Sequence, residues 1–201
     1  MKEYLYEQLF NVNTRINRNL KQQYSKNYYY YEPTPYIALE ELILHHHFGE
    51  QDHVVDFGCG LGRLHFFLHH HLGLSVTGIE MNYDFYKQAL ENLSHYKKTT
   101  RKNTDHLQFH WIKAEDYQIQ PEENQFYFFN PFSVHIFRKV LFNLMTSHEQ
   151  VKRRMSIILY YVQDDYLFLL EKETNFKYVQ EIRIPFLYDR DEYERFLLYE
   201  L

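Results

Sequence analysis

Residues Val54 to Arg63 read Val-Val-Asp-Phe-Gly-Cys-Gly-Leu-Gly-Arg, and this run constrains the fold more than any other stretch of the chain. An apolar strand ends in Asp56, a tight turn follows through Gly58, Gly60 and Gly62, and helical spacing resumes from Leu64 to His71. Glycine lets the backbone turn sharply and lets a ligand approach the main chain, because no β-carbon is in the way. A strand, a glycine turn and a helix N-terminus together form a nucleotide-binding corner, where backbone N–H groups point outward at the start of the helix. The spacing is G-x-G-x-G, not the dinucleotide pattern, which places its third glycine one position later.

Strands and helices then alternate. Ile37 to Phe48 reads as a helix with Pro35 in its first turn, and Thr34 before it is positioned as an N-cap. Leu74 to Glu80, Leu107 to Lys113, Gln125 to Phe129 and Ile157 to Tyr161 read as further strands. Tyr83 to Tyr96, Val134 to Met145 and Tyr166 to Glu173 read as helices. Such alternation predicts an α/β, doubly wound, mostly parallel sheet with helices on both faces. Phe176 to Pro185 and Tyr193 to Leu201 run apolar or alternate around a charged stretch, which predicts a C-terminal antiparallel hairpin. Ahead of this, residues 1–32 form an N-terminal helical or lid segment, and 33–201 the main domain. Leu5, Leu9, Val12 and Ile16 are spaced for one face of a helix, and Tyr28 to Tyr31 is a run of four tyrosines.

In open parallel sheets ligands sit beyond the carboxyl ends of the strands. The strand ends carry the candidates. Glu80 lies twenty positions after Gly60, the spacing at which a carboxylate accepts hydrogen bonds from both ribose hydroxyls. Strand three runs into Ala114-Glu115-Asp116, and either acid is placed to meet a purine amino group. Met81 and Ile112 are positioned to flank a ring. Strand four delivers Phe129-Asn130-Pro131-Phe132.

The glycine turn with its preceding Asp56, together with Glu80, the Glu115-Asp116 loop and Asn130-Pro131-Phe132, resembles the motifs of the class I S-adenosylmethionine-dependent methyltransferases. The likeness is to small bacterial members with Pro-Thr-Pro-Tyr, as at Pro33 to Tyr36, and Asn-Pro-Phe. The resemblance implies the Rossmann-like, seven-stranded methyltransferase fold and S-adenosyl-L-methionine as cofactor. It places Asp56, Gly58, Gly60, Gly62, Glu80, Met81, Glu115 or Asp116, and Thr34 around that cofactor. Asn130, Pro131 and Phe132 would be the catalytic group, as in amino-group methyltransferases whose Asn-Pro-Pro-Tyr holds a target nitrogen. Phe132 stands where that pattern has a second proline, and Ser133 where it has an aromatic. A binding module that keeps the fold without chemistry is the competing class, and nucleic-acid methylation a further reading. Aminopropyl transfer, on the same fold, calls for paired acids where Asn130 stands.

Composition narrows the remaining classes. The formal net charge of -5 provides no global field toward nucleic acid or an anionic membrane. Lys97 to Lys102 holds the one basic cluster, in a loop. A single cysteine, Cys59, excludes an intrachain disulfide and fits a reducing compartment. The charged N-terminus lacks a signal peptide's apolar stretch, and no run approaches the ~20 apolar residues of a membrane span. A cytoplasmic protein with an acceptor of unknown identity is the expectation. The triplets His45–His47 and His69–His71 project at about 100° intervals on a helix and do not chelate from one face. No metal site is expected, and the triplets are read as decorating helix C-termini, where positive charge is favourable.

Overall fold

The structure is a computed structural model, and it describes residues 2–15 and 27–201. The chain forms α1 (Lys2–Phe10), α2 (Tyr36–His45), β1 (His53–Phe57), α3 (Arg63–Leu72), β2 (Ser75–Glu80), α4 (Tyr83–Lys97) and β3 (Leu107–Trp111). After a single 3₁₀ turn (Ala114–Asp116) come β4 (Gln125–Phe129), α5 (Val134–Gln150), β5 (Ser156–Tyr160), α6 (Asp164–Glu173), β6 (Lys177–Arg183) and β7 (Arg195–Glu200). One seven-stranded sheet runs in the order β3-β2-β1-β4-β5-β7-β6. The first five strands are parallel, β7 pairs antiparallel with β5, and β6 closes the edge antiparallel to β7.

The central strands are mostly apolar because helices cover both of their faces. Val54, Val55, Phe126, Phe128, Ile157 and Ile158 are all fully buried. One apolar cluster lies between the sheet and α2, α3 and α4; a second lies against α5 and α6. From β1 the chain winds outward through β2 to β3, then crosses to the other side of β1 as β4. The carboxyl ends of β1 and β4 therefore flank the switch point, where such sheets open a crevice.

The N-terminal helix departs from its predicted face. Leu5 and Leu9 are exposed, while Tyr6, Glu7 and Phe10 turn inward. Aromatic packing decides this: Tyr6 stacks on Tyr36 at 4.6 Å, and Phe10 meets Tyr96 edge-on at 6.2 Å. Val12 is buried beyond the helix end, and Ile16 lies outside the described residues.

The histidine triplets do lie at helix C-termini, His45 and His46 at the end of α2 and His69 to His71 in the last turn of α3, but two of these side chains are buried rather than displayed as positive charge. His69 is buried, bonded to the Tyr96 hydroxyl at 2.9 Å and the Asn103 carbonyl at 2.8 Å, and burial lowers its pKa. Lys102 supplies the cation at the end of α3, donating to the carbonyls of His69 and His70. His46 is buried against Gln125. Among the described residues no group of three His, Cys, Asp or Glu side chains converges as a metal would require, and no helix is long and apolar enough to cross a membrane.

Candidate functional site

The glycine turn is anchored by β2. Gly58 and Cys59 donate their N–H groups to the Ile79 carbonyl, at 2.9 and 3.1 Å. Gly60 N–H donates to Glu80 Oε2 at 3.0 Å, and Asn82 N–H to Glu80 Oε1 at 2.7 Å. Glu80 thus ties the turn to the start of α4, whose own cap is the Asn82 side chain, accepting from the N–H groups of Asp84 and Phe85. Burial pushes the Glu80 carboxyl up to about 7, against the pull of these N–H donors. With the Met81 backbone also acting on it, the carboxylate keeps acceptor capacity for a further donor.

Gly58 and Gly60 both have positive φ, at 85° and 53°, and both are required by contact as well as conformation. A β-carbon on Gly58 would lie 2.5 Å from Pro131 Cβ, and one on Gly60 would lie 2.1 Å from Tyr31 Cε2. The approach that only glycine permits is therefore made here by other side chains of the chain itself. Gly62, left-handed at φ 87°, occupies the N-cap position of α3.

Asp56 is 5% exposed, and burial, with Glu80 adding repulsion, pushes its carboxyl up to about 8. It borders a narrow arm of the crevice with Thr34, Cys59, Arg63 and Tyr127. The Thr34 hydroxyl shares a 2.7 Å hydrogen bond with the Tyr127 hydroxyl, and its carbonyl accepts from Arg63 Nη1 at 3.0 Å. Thr34 does not cap α2, as its sequence position suggested. Pro35 holds the N-cap position, without a side-chain bond. The hydroxyl has turned instead into the buried contact with β4.

The second arm is lined by Tyr28 to Glu32, Gly58, Glu80, Met81, Ile112, Ala114, Phe129, Pro131 and Phe132. It is narrow, about 80 Å³ measured at the centre of a water-sized sphere. Asn130 and Pro131 turn the chain sharply here. Asn130 has φ 39°, a left-handed conformation that asparagine tolerates better than most residues. Its side-chain Oδ1 is buried and has no hydrogen-bond partner. Phe132 is 1% exposed, packed edge-on to Phe128 and Tyr28, and its carbonyl accepts from the Tyr166 hydroxyl at 2.6 Å. Its ring serves the core; of the expected catalytic trio, Asn130 holds the unused polar atom.

The two acids after β3 point to different places. Glu115 accepts a hydrogen bond from the Tyr28 hydroxyl. Asp116 is exposed and borders a separate hollow with His110, Trp111 and Tyr117. Ala114, not Asp116, lines the crevice beside Met81 and Ile112.

Sequence reasoning left several members of the site unassigned. Residues 28–32 form a strap across the crevice. Tyr28 pairs with Phe132 in an antiparallel bridge, Tyr29 N–H donates to the Pro131 carbonyl at 3.1 Å, and Tyr31 covers Gly60. The Tyr31 hydroxyl donates to the Thr14 carbonyl at 2.6 Å. Arg63 is the second omission. Only 4% exposed, it bonds Thr14 Oγ1 and Glu3, sits 3.5 Å from Glu7 and lies over the Tyr36 ring. It clamps α1 and the strap to the glycine turn. Its place directly after Gly62 was the signal available.

No protein-family model and no curated protein sequence matches the chain. Solved structures do share its fold. It is similar to a putative RNA methyltransferase from Pyrococcus horikoshii, with a TM-score of 0.59 and 17% identity over 99% of this chain and 96% of that one. It is also similar to an RNA methyltransferase from Salinibacter ruber in complex with S-adenosyl-L-homocysteine, with a TM-score of 0.54 and 17% identity over 84% and 92% of the two chains. A third similar structure is the magnesium protoporphyrin IX methyltransferase of Synechocystis with bound SAM, with a TM-score of 0.51 and 13% identity over 73% and 67%. The seven-stranded sheet with its antiparallel C-terminal pair is thus a fold on which methyltransferases of quite different acceptors are built.

Proposed function

We propose that this chain is an S-adenosylmethionine-dependent methyltransferase acting on a nitrogen acceptor. The observation that carries the reading is a convergence. The glycine turn and the buried carboxyls of Asp56 and Glu80 border one crevice at the β1/β4 switch point, and Asn130, whose buried Oδ1 has no partner, stands between the crevice-lining Phe129 and Pro131. The residues fit the cofactor chemically. Glu80 has acceptor capacity left for a ribose hydroxyl, Met81, Ile112 and Ala114 offer an apolar slot for a purine, and Asp56 offers a carboxyl to a cation.

When bound, the cofactor supplies an electrophilic methyl group on a positively charged sulfur. The chain's residues have the task of positioning. Asn130 Oδ1 accepts a hydrogen bond from the acceptor nitrogen, so that the nitrogen's lone pair turns toward the methyl group. Pro131, seated against Gly58, fixes the distance between the catalytic strand end and the cofactor turn. Phe129, Pro131 and the tyrosines of the strap exclude water, which would otherwise solvate the acceptor lone pair.

The test is transfer of labelled methyl groups from S-adenosylmethionine into protein, RNA and small-molecule fractions by the full chain. Label in one fraction identifies the acceptor class; label in none, with the cofactor bound, supports the non-catalytic module instead. The similarity to two RNA methyltransferases, one of them putative, makes RNA the first fraction to examine, while the charge of -5 gives no general attraction to it.

A further inference from the structure

Beneath the glycine turn lies a buried group that the proposed chemistry leaves idle. His65, in the first turn of α3, is 0% exposed, and neither ring nitrogen has a partner in good hydrogen-bond geometry, the Gln108 backbone on β3 being the polar group that acts on it. Its ring stacks on Phe109 with centroids 4.3 Å apart. The fold makes room for it at Gly78, where a β-carbon would come within 2.5 Å of His65 Nε2 and 2.7 Å of Cys59 Sγ. His65 Nδ1 is 3.6 Å from Asp56 Oδ2, just beyond hydrogen-bond length. Asp56 in turn borders the crevice. An apolar ring would fill the same space without burying polar nitrogens that lack a well-formed hydrogen bond, so its polarity calls for a use.

We propose that His65 is a positioning residue for Asp56: its Nδ1 accepts a proton-bearing Asp56 carboxyl when no cofactor is bound and donates to the Asp56 carboxylate when the cationic cofactor is, so that cofactor uptake expels a proton from this cluster. The inference rests on the methyltransferase reading. A neutral imidazole suits both states, because its two tautomers make Nδ1 either an acceptor or a donor. Burial lowers His65 to about 3, so the imidazole stays neutral, and raises Asp56 to about 8, so the proton of the pair resides on the carboxyl. The balance is simple. Asp56 loses H⁺ to solvent, its carboxylate faces the added positive charge, and the imidazole N–H moves from Nε2 to Nδ1.

Other groups face this pair, the Gln108 backbone against His65 from β3 among them. Glu80 acts on Asp56 from β2, and Tyr127 meets it from β4 with a hydroxyl that burial keeps protonated. The Cys59 thiol, raised by burial and by both carboxyls, abuts it from the turn, and His53 acts on His65 from the start of β1. Arg63 borders the same arm of the crevice but is committed to Glu3 and Glu7.

The experiment has two arms on the full chain. Carbon-13 carboxyl NMR follows the titration of Asp56 in ligand-free protein, and calorimetry with S-adenosylmethionine, run in two buffers of different ionisation enthalpy, counts protons released. The parent should release about one proton at pH 7, with affinity falling about tenfold per pH unit below the Asp56 midpoint. His65→Phe should raise that midpoint by about one unit and cut affinity at pH 7 by up to about tenfold, and His65→Asn, which keeps a donor and an acceptor, should restore both. The ligand's own α-amino group titrates near 8, but alike in every variant, so differences between variants report the protein. An unchanged Asp56 midpoint in folded His65→Phe would overturn the proposal and leave His65 a packing residue. Should His65→Phe not fold, the parent decides: binding without proton release overturns the proposal. Absence of any cofactor binding would sink the methyltransferase reading instead, while the NMR arm still decides the His65–Asp56 coupling.

Discussion

The ring of Tyr31 rests on the α-carbon of Gly60, so closely that a β-carbon there would lie 2.1 Å from Tyr31 Cε2. The strap and the glycine turn are therefore one packed unit, closed further by the bond from the Tyr31 hydroxyl to the Thr14 carbonyl. Gly60→Ala should destabilise the fold twice, by left-handed strain of about 1–2 kcal/mol and by the clash. Adding Tyr31→Ala should remove the clash component, so the double variant should be less destabilised than the two single losses summed. Thermal melting of the four proteins measures this. Strict additivity would mean that the strap does not press on the turn.

Glu80 has a structural duty that its sequence position did not reveal. Glu80→Ala leaves the N–H groups of Gly60 and Asn82 without their partner and should cost about 1–3 kcal/mol of stability in addition to affinity. Glu80→Gln keeps one acceptor oxygen, and separates the two effects. It should melt closer to the parent than the alanine variant while binding the cofactor about tenfold or more weakly, since charge-assisted hydrogen bonds are worth about 1.5–3 kcal/mol each. Unchanged affinity in Glu80→Gln would remove Glu80 from the ribose.

Stability should fall as pH rises through neutrality. Burial lifts Asp56 from 3.8 to about 8 and Glu80 from 4.5 to about 7, so both hold protons more tightly folded than unfolded. Their contribution is complete below the unfolded values and is lost as pH climbs through the folded ones. His65, lowered from 6.5 to about 3, acts in the opposite sense, but only below 6.5. From about pH 6.5 to 8 the carboxyls dominate, and the loss should be on the order of 1 kcal/mol. Asp56→Asn should flatten the melting temperature over that window. A parent whose melting temperature is level there would place both carboxyls in a wetter setting.

Asn130 and Phe132, two residues apart, should behave oppositely. Asn130→Gly keeps the left-handed backbone and removes only the amide, so cofactor affinity should hold and turnover should fall about 10²-fold or more. Phe132→Ala empties a core position and should cost about 3–5 kcal/mol. Steady-state kinetics and chemical denaturation distinguish them. An Asn130→Gly variant as active as its parent would move the acceptor elsewhere.

The parallel core was legible because buried strands such as Val54–Phe57 and Gln125–Phe129 are apolar on both faces and end in glycine or Asn-Pro turns. The glycine corner and Glu80 were legible because their spacing is local. The strap was not, since Tyr28 meets Glu115 and Phe132 about a hundred positions away, and a run of tyrosines has no period to show which surface it covers. The face of α1 was misread because aliphatic spacing was weighed above aromatics; Tyr6 and Phe10 found ring partners, while Leu5 and Leu9 did not. Arg63 went unassigned, and His65 was weighed only as an i, i+4 partner of His69 for a metal, because burial of a charged or polar side chain appears only when its surroundings are known.

The central claim is that this crevice takes S-adenosylmethionine, and direct calorimetric titration of the full chain with the cofactor and with its demethylated product tests it. The account predicts binding in the micromolar range, about 8 kcal/mol, weakened by Glu80→Gln and unaffected by Asn130→Gly. No detectable heat with either ligand up to millimolar concentration, in several buffers, would contradict it.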